Sequence, residues 1–341
     1  MVRSQDIADI VGVSRQAVSA VLNGRGSSSV SAAKRELILK VAREMNYQPN
    51  YQAKNLARGC SRVIGFLYSQ QSMLKMLRSP VYPRFINSLS VNLAARGYEL
   101  SLIGIEDTCD ADGILQTVNS GRVDGVICSS YFNSNDPRAE QKHPQQVIFA
   151  TTTTPEGVFS DIRINGETGI AGLADHLRQQ GHEKIAYIGQ KGFRLEQHLR
   201  IFAERNIPLS EKFIVTEGMY ASNPGDALTC FEITSLHLDM LRNCTAVIFN
   251  NDYYARGGCA ALRQAGIVPG RDIAVAGHDN LEECDMPFLT TTTAPYDIMG
   301  ERCAERICAQ LNGRQVPSGE TINNQLIIRA STADYQQPNR E

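Results

Sequence analysis

Gly12 separates two segments that are each too short to fold alone. Before it, Ile7-Ala8-Asp9-Ile10-Val11 sets apolar side chains at i, i+3 and i+4, one stripe of a helix. After it, Arg15 to Leu22 repeats the pattern, with Val18, Val21 and Leu22 on one side. Glycine takes up the left-handed conformation that ends a helix, and Ser14 is placed to cap the next one. The spacing therefore predicts a helix-turn-helix, whose second helix fits the DNA major groove. An ordinary helical hairpin reads the same over these residues alone, so the continuation decides.

Ser31 is a cap for a third helix, Ala32 to about Asn46, with Leu37, Ile38, Val41, Ala42 and Met45 at helical spacing. Tyr47-Gln48-Pro49-Asn50 ends it, because the residue before a proline resists the α region. Tyr51 to Gly59 has helical propensity but little to pack against, and is expected to order on binding. Charge separates this head from the rest. Residues 1–62 hold ten Lys/Arg against four Asp/Glu, a balance of +6 in a chain whose total is −2, so the remainder carries −8. A basic head on an acidic body points to a polyanion partner for the head only.

From Arg62 onward the pattern is strand alternating with helix. Val63–Tyr68, Tyr98–Ile103, Val123–Cys128 and Gln146–Ala150 read as strands, with helices around Pro83–Arg96 and Ala111–Ser120 between them. The alternation restarts after residue 161: helix Gly166–Gln180, strand Ile185–Gly189, helix Arg194–Asn206, a largely helical Pro224–Leu241, strand Ala246–Phe249, helix Tyr253–Ala265, strand Ile273–Ala276. Such βαβ units build parallel sheets. Their number exceeds one sheet, so the expectation is a small all-α head plus an α/β body of two doubly wound lobes. Ligands in such folds sit beyond the carboxyl ends of the strands, here between the lobes.

Several classes are disfavoured. The nine cysteines form no CxxC pair and sit mostly in apolar runs, which reads as buried thiols rather than metal or redox chemistry. No apolar run approaches the about 18 residues of a membrane span, and no signal-type segment opens the chain, so a cytoplasmic, nucleoid-associated protein is expected. No G-x-S-x-G elbow, Walker loop, zinc-spaced cluster or Rossmann glycine fingerprint is present. His278 beside Asp279 invites a catalytic-dyad reading, but a structural role is expected. Neither a cofactor nor enzymatic activity is expected.

Val13-Ser14, Val18-Ser19, Val21-Leu22-Asn23, Val30-Ser31, Tyr47-x-Pro49-Asn50 and Ala53-x-x-Leu56, in this order and spacing, resemble the head and hinge of the LacI/GalR family of bacterial transcription regulators. The resemblance implies that Arg15, Gln16 and Ala20 occupy the base-reading positions. Arg suits guanine O6/N7 and Gln suits adenine N6/N7. It also implies phosphate-facing roles for Ser14, Ser19, Asn23 and Ser31, and places Tyr47, Asn50 and Ala53 in the DNA-contacting set. Leu56 matches the hinge leucine that wedges into the minor groove and bends the duplex. Ala20 departs from a usual arginine, and the loop at Gly24–Ser29 is about two residues longer than usual.

Arg122-Val123-Asp124-Gly125-Val126-Ile127, Gly181-His182-x-Lys184-Ile185, Asn251-Asp252-x-x-Ala255-x-Gly257, Gly277-x-Asp279 and Leu289-Thr290-Thr291 extend the resemblance to the family's periplasmic-binding-protein-like core (type I). It implies three chain crossings between lobes, near 160–163, 290–293 and 322–326. The domains would be a head at 1–48, a hinge at 49–61 and a ligand-binding and dimerisation body at 62–341. Within the body the N-lobe would take about 62–160 and 292–323, the C-lobe about 161–291 and 324–341. By position, Arg194, Asp252, Tyr220 and Tyr82 are candidate ligand contacts. Arg194 also reads as a surface cation, Asp252 as a helix cap, and the tyrosines as core or surface. Departures border the cleft: Asn165 for an aspartate, Thr151 for an acidic or amide residue, a short loop at Gln190–Phe193, Gln197-His198 for Gly-Phe, and an insertion at 69–78.

The expected function is a homodimeric repressor reading a pseudo-palindromic operator in double-stranded DNA. A small molecule, a sugar or sugar derivative with a purine as the alternative, would control it. A pure solute-binding protein would ignore duplex DNA, and an enzyme on this scaffold would turn over its tightest ligand.

Overall fold

The structure, a computed structural model, describes residues 2–22, 30–47, 60–69, 79, 81–105, 111–128, 146–150, 160–216, 227–317 and 319–333. The chain divides into two units, Met1–Arg62 and Val63–Glu341.

In the first unit, α1 spans Ser4–Val11. It starts ahead of its apolar stripe because the Asp6 carboxylate accepts from the Arg3 amide at 2.8 Å. Gly12, at φ 67° and ψ 46°, ends it in the left-handed region. Helix α2 is Arg15–Leu22, with Ser14 Oγ accepting from the Ala17 amide at 3.2 Å. Helix α3 is Ala32–Glu44, capped by Ser31 Oγ on the Lys34 amide. Ile7, Ala8, Val18, Val21, Ile38, Val41 and Ala42 close the core. Two expected core residues face out: Ile10 is 60% exposed and Leu37 44%. On their helices they lie about 110° and 90° from the centre of the buried arc, beyond what three short helices cover.

The second unit begins β1 (Val63–Ser69), α4 (Tyr82–Ala94), β2 (Glu99–Ile105), α5 (Ala111–Asn119), β3 (Gly125–Cys128), β4 (Val147–Ala150) and β5 (Ser160–Asn165). It continues α6 (Glu167–Gln179), β6 (Ile185–Ile188), α7 (Phe193–Glu204) and β7 (Ile214–Val215), then α8 (Ala227–Leu236) and α9 (Leu238–Leu241). After these come β8 (Ala246–Phe249), α10 (Asp252–Gln264), β9 (Ala274–Ala276), β10 (Thr291–Thr292) and α11 (Tyr296–Leu311). Last are β11 (Gly319–Asn323), β12 (Leu326–Ile327) and α12 (Ala330–Ala333). One parallel sheet runs β11-β5-β4-β3-β1-β2 and another β7-β6-β8-β9. Strands β10 and β12 pair antiparallel as a separate ribbon. Strands such as β3, β4, β6 and β8 are buried throughout, as helix-covered parallel strands must be.

The differences from the sequence reading have physical causes. Strands β5 and β11 were not expected: they carry Arg163, Asn165, Glu320 and Asn323, and β11 is an edge strand with alternating exposure. Since β5 pairs with β4 and β11, the chain leaves the first lobe after Asn165, not near 160–163. Helix α11 went unassigned because Glu301, Arg302, Glu305 and Arg306 interrupt its apolar stripe. Arg306 is nevertheless buried, donating to Glu320 Oε2 at 2.7 Å and to the Asp161 carbonyl at 3.0 Å. The helix expected over 224–241 breaks at His237, whose ring bonds back to the Ile233 carbonyl.

Gly257 explains the glycine of the Asn251–Gly257 motif. A Cβ built on it would lie 1.9 Å from the Ala227 carbonyl oxygen, so only glycine lets α10 approach α8 this closely. Gly257→Ala is expected to cost about 3 kcal/mol through forced separation of backbones. Urea unfolding reads this, and an unchanged midpoint would contradict the packing.

Candidate functional site

On the head, Ser14, Arg15, Gln16, Ser19 and Ala20 share one surface depression along α2. Val18 and Val21 anchor the opposite side of that helix in the core, which leaves Arg15, Gln16 and Ser19 in solvent. Ser14 and Ser31 each cap a helix start and remain exposed, where unpaired amides suit an anion. Tyr47 differs: its ring is half-buried and packs against the head core. Asn23, Asn50, Ala53 and Leu56 lie outside the described residues.

In the body, a cleft of about 660 Å³ opens between the two sheets' lobes. The ends of β5 and β11 supply Arg163, Asn165, Thr321 and Asn324, and α11 supplies Tyr296. Helices α6 and α7 supply Glu167, Phe193, Arg194 and Gln197, while His278, Asp279 and Thr292 form the floor. Amides, hydroxyls and two aromatic rings around paired charges suit a ligand rich in hydroxyl or ring nitrogen groups.

Arg194 reaches this cleft, held from behind. Its Nη2 donates to Asp279 Oδ1 at 2.8 Å, and its Nη1 to Asp279 Oδ2 at 3.3 Å and to the Asn250 carbonyl. Asp279 is buried and takes φ 88°, a strained value for a non-glycine residue. Sequence reasoning used Asp279 as a motif residue and missed it as a cleft residue; the signal lay in the turn after β9. Phe193, 73% exposed at the cleft, was likewise read only as part of a loop.

Beneath Arg194 two buried histidines meet. His198 Nδ1 lies 2.7 Å from the Arg194 carbonyl, which only accepts, so Nδ1 carries the proton and Nε2 accepts. His278 Nε2, 3.0 Å away, must then donate, leaving its Nδ1 to accept from Thr292 Oγ1 at 2.8 Å. Both rings are neutral. Burial pushes His198 down to about 4 and His278 well below the usual imidazole value. His278 thus bonds to His198 and Thr292 and lines the cleft floor. These two positions are the ones where Gln197-His198 and Gly277-His278 depart from the aromatic residues usual in the resemblance.

Asp252 does not line the described cleft. Its carboxylate is buried and accepts from the Leu281 amide at 2.7 Å and Thr291 Oγ1 at 2.8 Å, tying α10 to the second crossing. Burial raises its pKa to about 7 against those two hydrogen bonds. The capping role falls to Asn251, whose side chain accepts from the Tyr254 amide. Tyr82 is likewise not among the lining residues: it packs beside Tyr296, ring centroids 6.0 Å apart, in an apolar cluster with Val81, Leu281 and Ala294, of which Tyr296 and Ala294 reach the cleft. Tyr220 and Thr151 lie outside the described residues, as does the expected insertion from 70 to 78.

Two family models match: bacterial regulatory proteins of the lacI family over residues 5–50, and a periplasmic binding protein-like domain over 174–332. The head model falls on α1–α3, and the body model runs from within α6 to α12, taking in the second lobe together with α11 and β11 of the first. The chain therefore joins a lacI-family helix-turn-helix head to a periplasmic-binding-protein-like domain. Similarity to single lacI-family members is low but runs end to end. It is 26% identical to the lactose operon repressor of Escherichia coli, covering 96% of this chain and 89% of that protein. It is 26% identical to the transcriptional repressor PurR of Yersinia pestis over 98% of each. A lac repressor dimer bound to operator and the anti-inducer ONPF superposes with a TM-score of 0.76 at 25% identity, covering 97% and 99%. The lacI-like fold of head and α/β body therefore holds for the whole chain. No described helix is long and apolar enough to cross a membrane, and no cluster of metal-ligating side chains occurs among the described residues.

Proposed function

We propose that this lacI-family regulator is a homodimeric repressor whose operator affinity is set by a sugar or sugar derivative bound at Arg194 in the interlobe cleft. The single observation that supports this reading most is that cleft, where a doubly braced arginine, three amides and an exposed phenylalanine converge. Ligand-responsive DNA binding is what the family assignment carries; the ligand class and residue roles are this reading's own. Arg15 and Gln16 read bases, Ser14, Ser19 and Ser31 hold phosphates, and Leu56 wedges the operator centre. Such a protein works in the cytoplasm, where the chromosome lies. A purine is the second reading, favoured by the exposed Phe193 ring, on which a base would stack.

The mechanism is linkage. Ligand favours one lobe arrangement, operator favours one hinge arrangement, and a coupling of about 1–3 kcal/mol acts equally in both directions. Two heads related by a two-fold axis read matching half-sites.

Selection of binding sites from a random duplex pool tests the head. Arg15→Ala is expected to relax preference at one position per half-site, losing about 1–3 kcal/mol of discrimination. An unchanged profile would remove base reading from Arg15. A thermal-shift screen of sugars and nucleobases on the intact chain tests the cleft, with Arg194→Ala as the control.

A further inference from the structure

Among the described residues, each charged side chain on the cleft wall has an opposite charge beside it. Arg194 is clamped by both oxygens of Asp279, at 2.8 and 3.3 Å. Arg163 Nε lies 2.7 Å from Asp161 Oδ2, and that carboxylate is 2% exposed. Glu167 is paired with Arg200, which holds it below the usual carboxylate range. Helix starts do not offset this. Helix α6 carries Glu167 in its first turn and has that residue's amide taken by Asn165 Oδ1, and α7 carries Glu196. Helices α6 and α7, whose first turns line the cleft, therefore each carry an acid in that turn, which opposes an anion at their amino ends.

We infer that the cleft selects uncharged ligands and rejects phosphorylated or carboxylated ones, and that Asp279 is the residue that sets this selectivity by neutralising Arg194. The inference rests on the reading of the cleft as the effector site. An anion entering would meet the Asp279 carboxylate, a like charge on the cleft wall, and would have to displace it from its guanidinium. A hydroxyl or ring nitrogen meets no such opposition. Three of the five guanidinium N–H groups of Arg194 are used by Asp279 and Asn250, leaving two to donate to a neutral acceptor. The strained backbone of Asp279 and the bond from its amide to the Thr292 carbonyl at 2.9 Å fix the carboxylate in place.

The test uses the intact chain and inorganic phosphate at constant ionic strength, read by thermal shift. The wild type is expected to show no saturable shift that depends on Arg194. Asp279→Asn, nearly isosteric, frees the guanidinium and is expected to gain a saturable shift, with apparent phosphate affinity up at least tenfold. Adding Arg194→Gln to that variant must abolish the gain, which separates the cleft from phosphate on the head. Paired probes extend it: glucose with glucose 6-phosphate, galactose with galacturonate, adenosine with its monophosphate. Any neutral member that binds should exceed its charged partner at least tenfold. A wild-type phosphate shift lost in Arg194→Gln, a charged member that binds as well as its neutral partner, or no gain in Asp279→Asn would each overturn the inference. Should Asp279→Asn fail to fold, Asp161→Asn makes the same test at Arg163. Loss of operator binding in a mobility shift would instead strike the regulator reading, and leaves these charge outcomes readable on their own.

Discussion

Arg194→Ala is expected to abolish the change in operator affinity on adding ligand, while leaving duplex binding itself intact. The guanidinium is the group that couples ligand to the Asp279 turn and to the Asn250 carbonyl after β8. Removing it deletes the donors facing the ligand and strands a buried carboxylate. Breaking one side of a buried pair costs on the order of 3 kcal/mol, and Arg194, about one-third exposed, places this case at or below that figure. Ligand affinity should fall about 100-fold, the loss expected when charged hydrogen bonds of this kind go. Calorimetric titration with a ligand from the thermal screen reads the first effect, and anisotropy of a labelled operator reads the second. A variant that still releases or binds operator on adding ligand would remove Arg194 from the account.

The second large effect is an acid limb in stability. His198 and His278 are buried neutral, so the unfolded chain binds protons that the folded chain refuses. Their stabilising contribution is complete above about pH 6.5 and is lost as pH falls toward about 4, for His198 alone on the order of 3 kcal/mol at the end of the range. Asp252 acts with opposite sign. Its raised pKa favours the fold at low pH, and that benefit is lost as pH rises through about 7. Two further histidines, His176 and His182, are also lowered by burial and add to the histidine side. The melting temperature is therefore expected to drop between pH 6.5 and 4. The double variant His198→Phe/His278→Phe should flatten much of that drop. An equally steep limb in the double variant would mean the pair is not the acid-sensitive element.

The head was legible because local chemistry determines it: Gly12 alone supplies the left-handed turn, and Ser14 and Ser31 supply the caps. Strands buried on both faces were legible as apolar runs. What escaped depends on distant partners. Arg306 reads as a surface cation until Glu320 and the Asp161 carbonyl surround it. Strand β5 reads as polar loop until β4 and β11 flank it. Asp252 and Asp279 are both carboxylates just past strand ends, and nothing local tells which faces the cleft. The answer lies with Thr291 and Leu281, which occupy Asp252, and with Arg194, which draws Asp279 to the surface of the cleft.

The central claim is that one chain joins a duplex-reading head to a cleft whose occupant alters that reading. Anisotropy of a selected operator duplex, titrated with intact protein with and without saturating ligand, tests it most directly. The account predicts tight binding at low ionic strength and an affinity change of about 5- to 150-fold on adding ligand. Failure to bind any duplex, or operator affinity that stays the same with the cleft saturated, would contradict it.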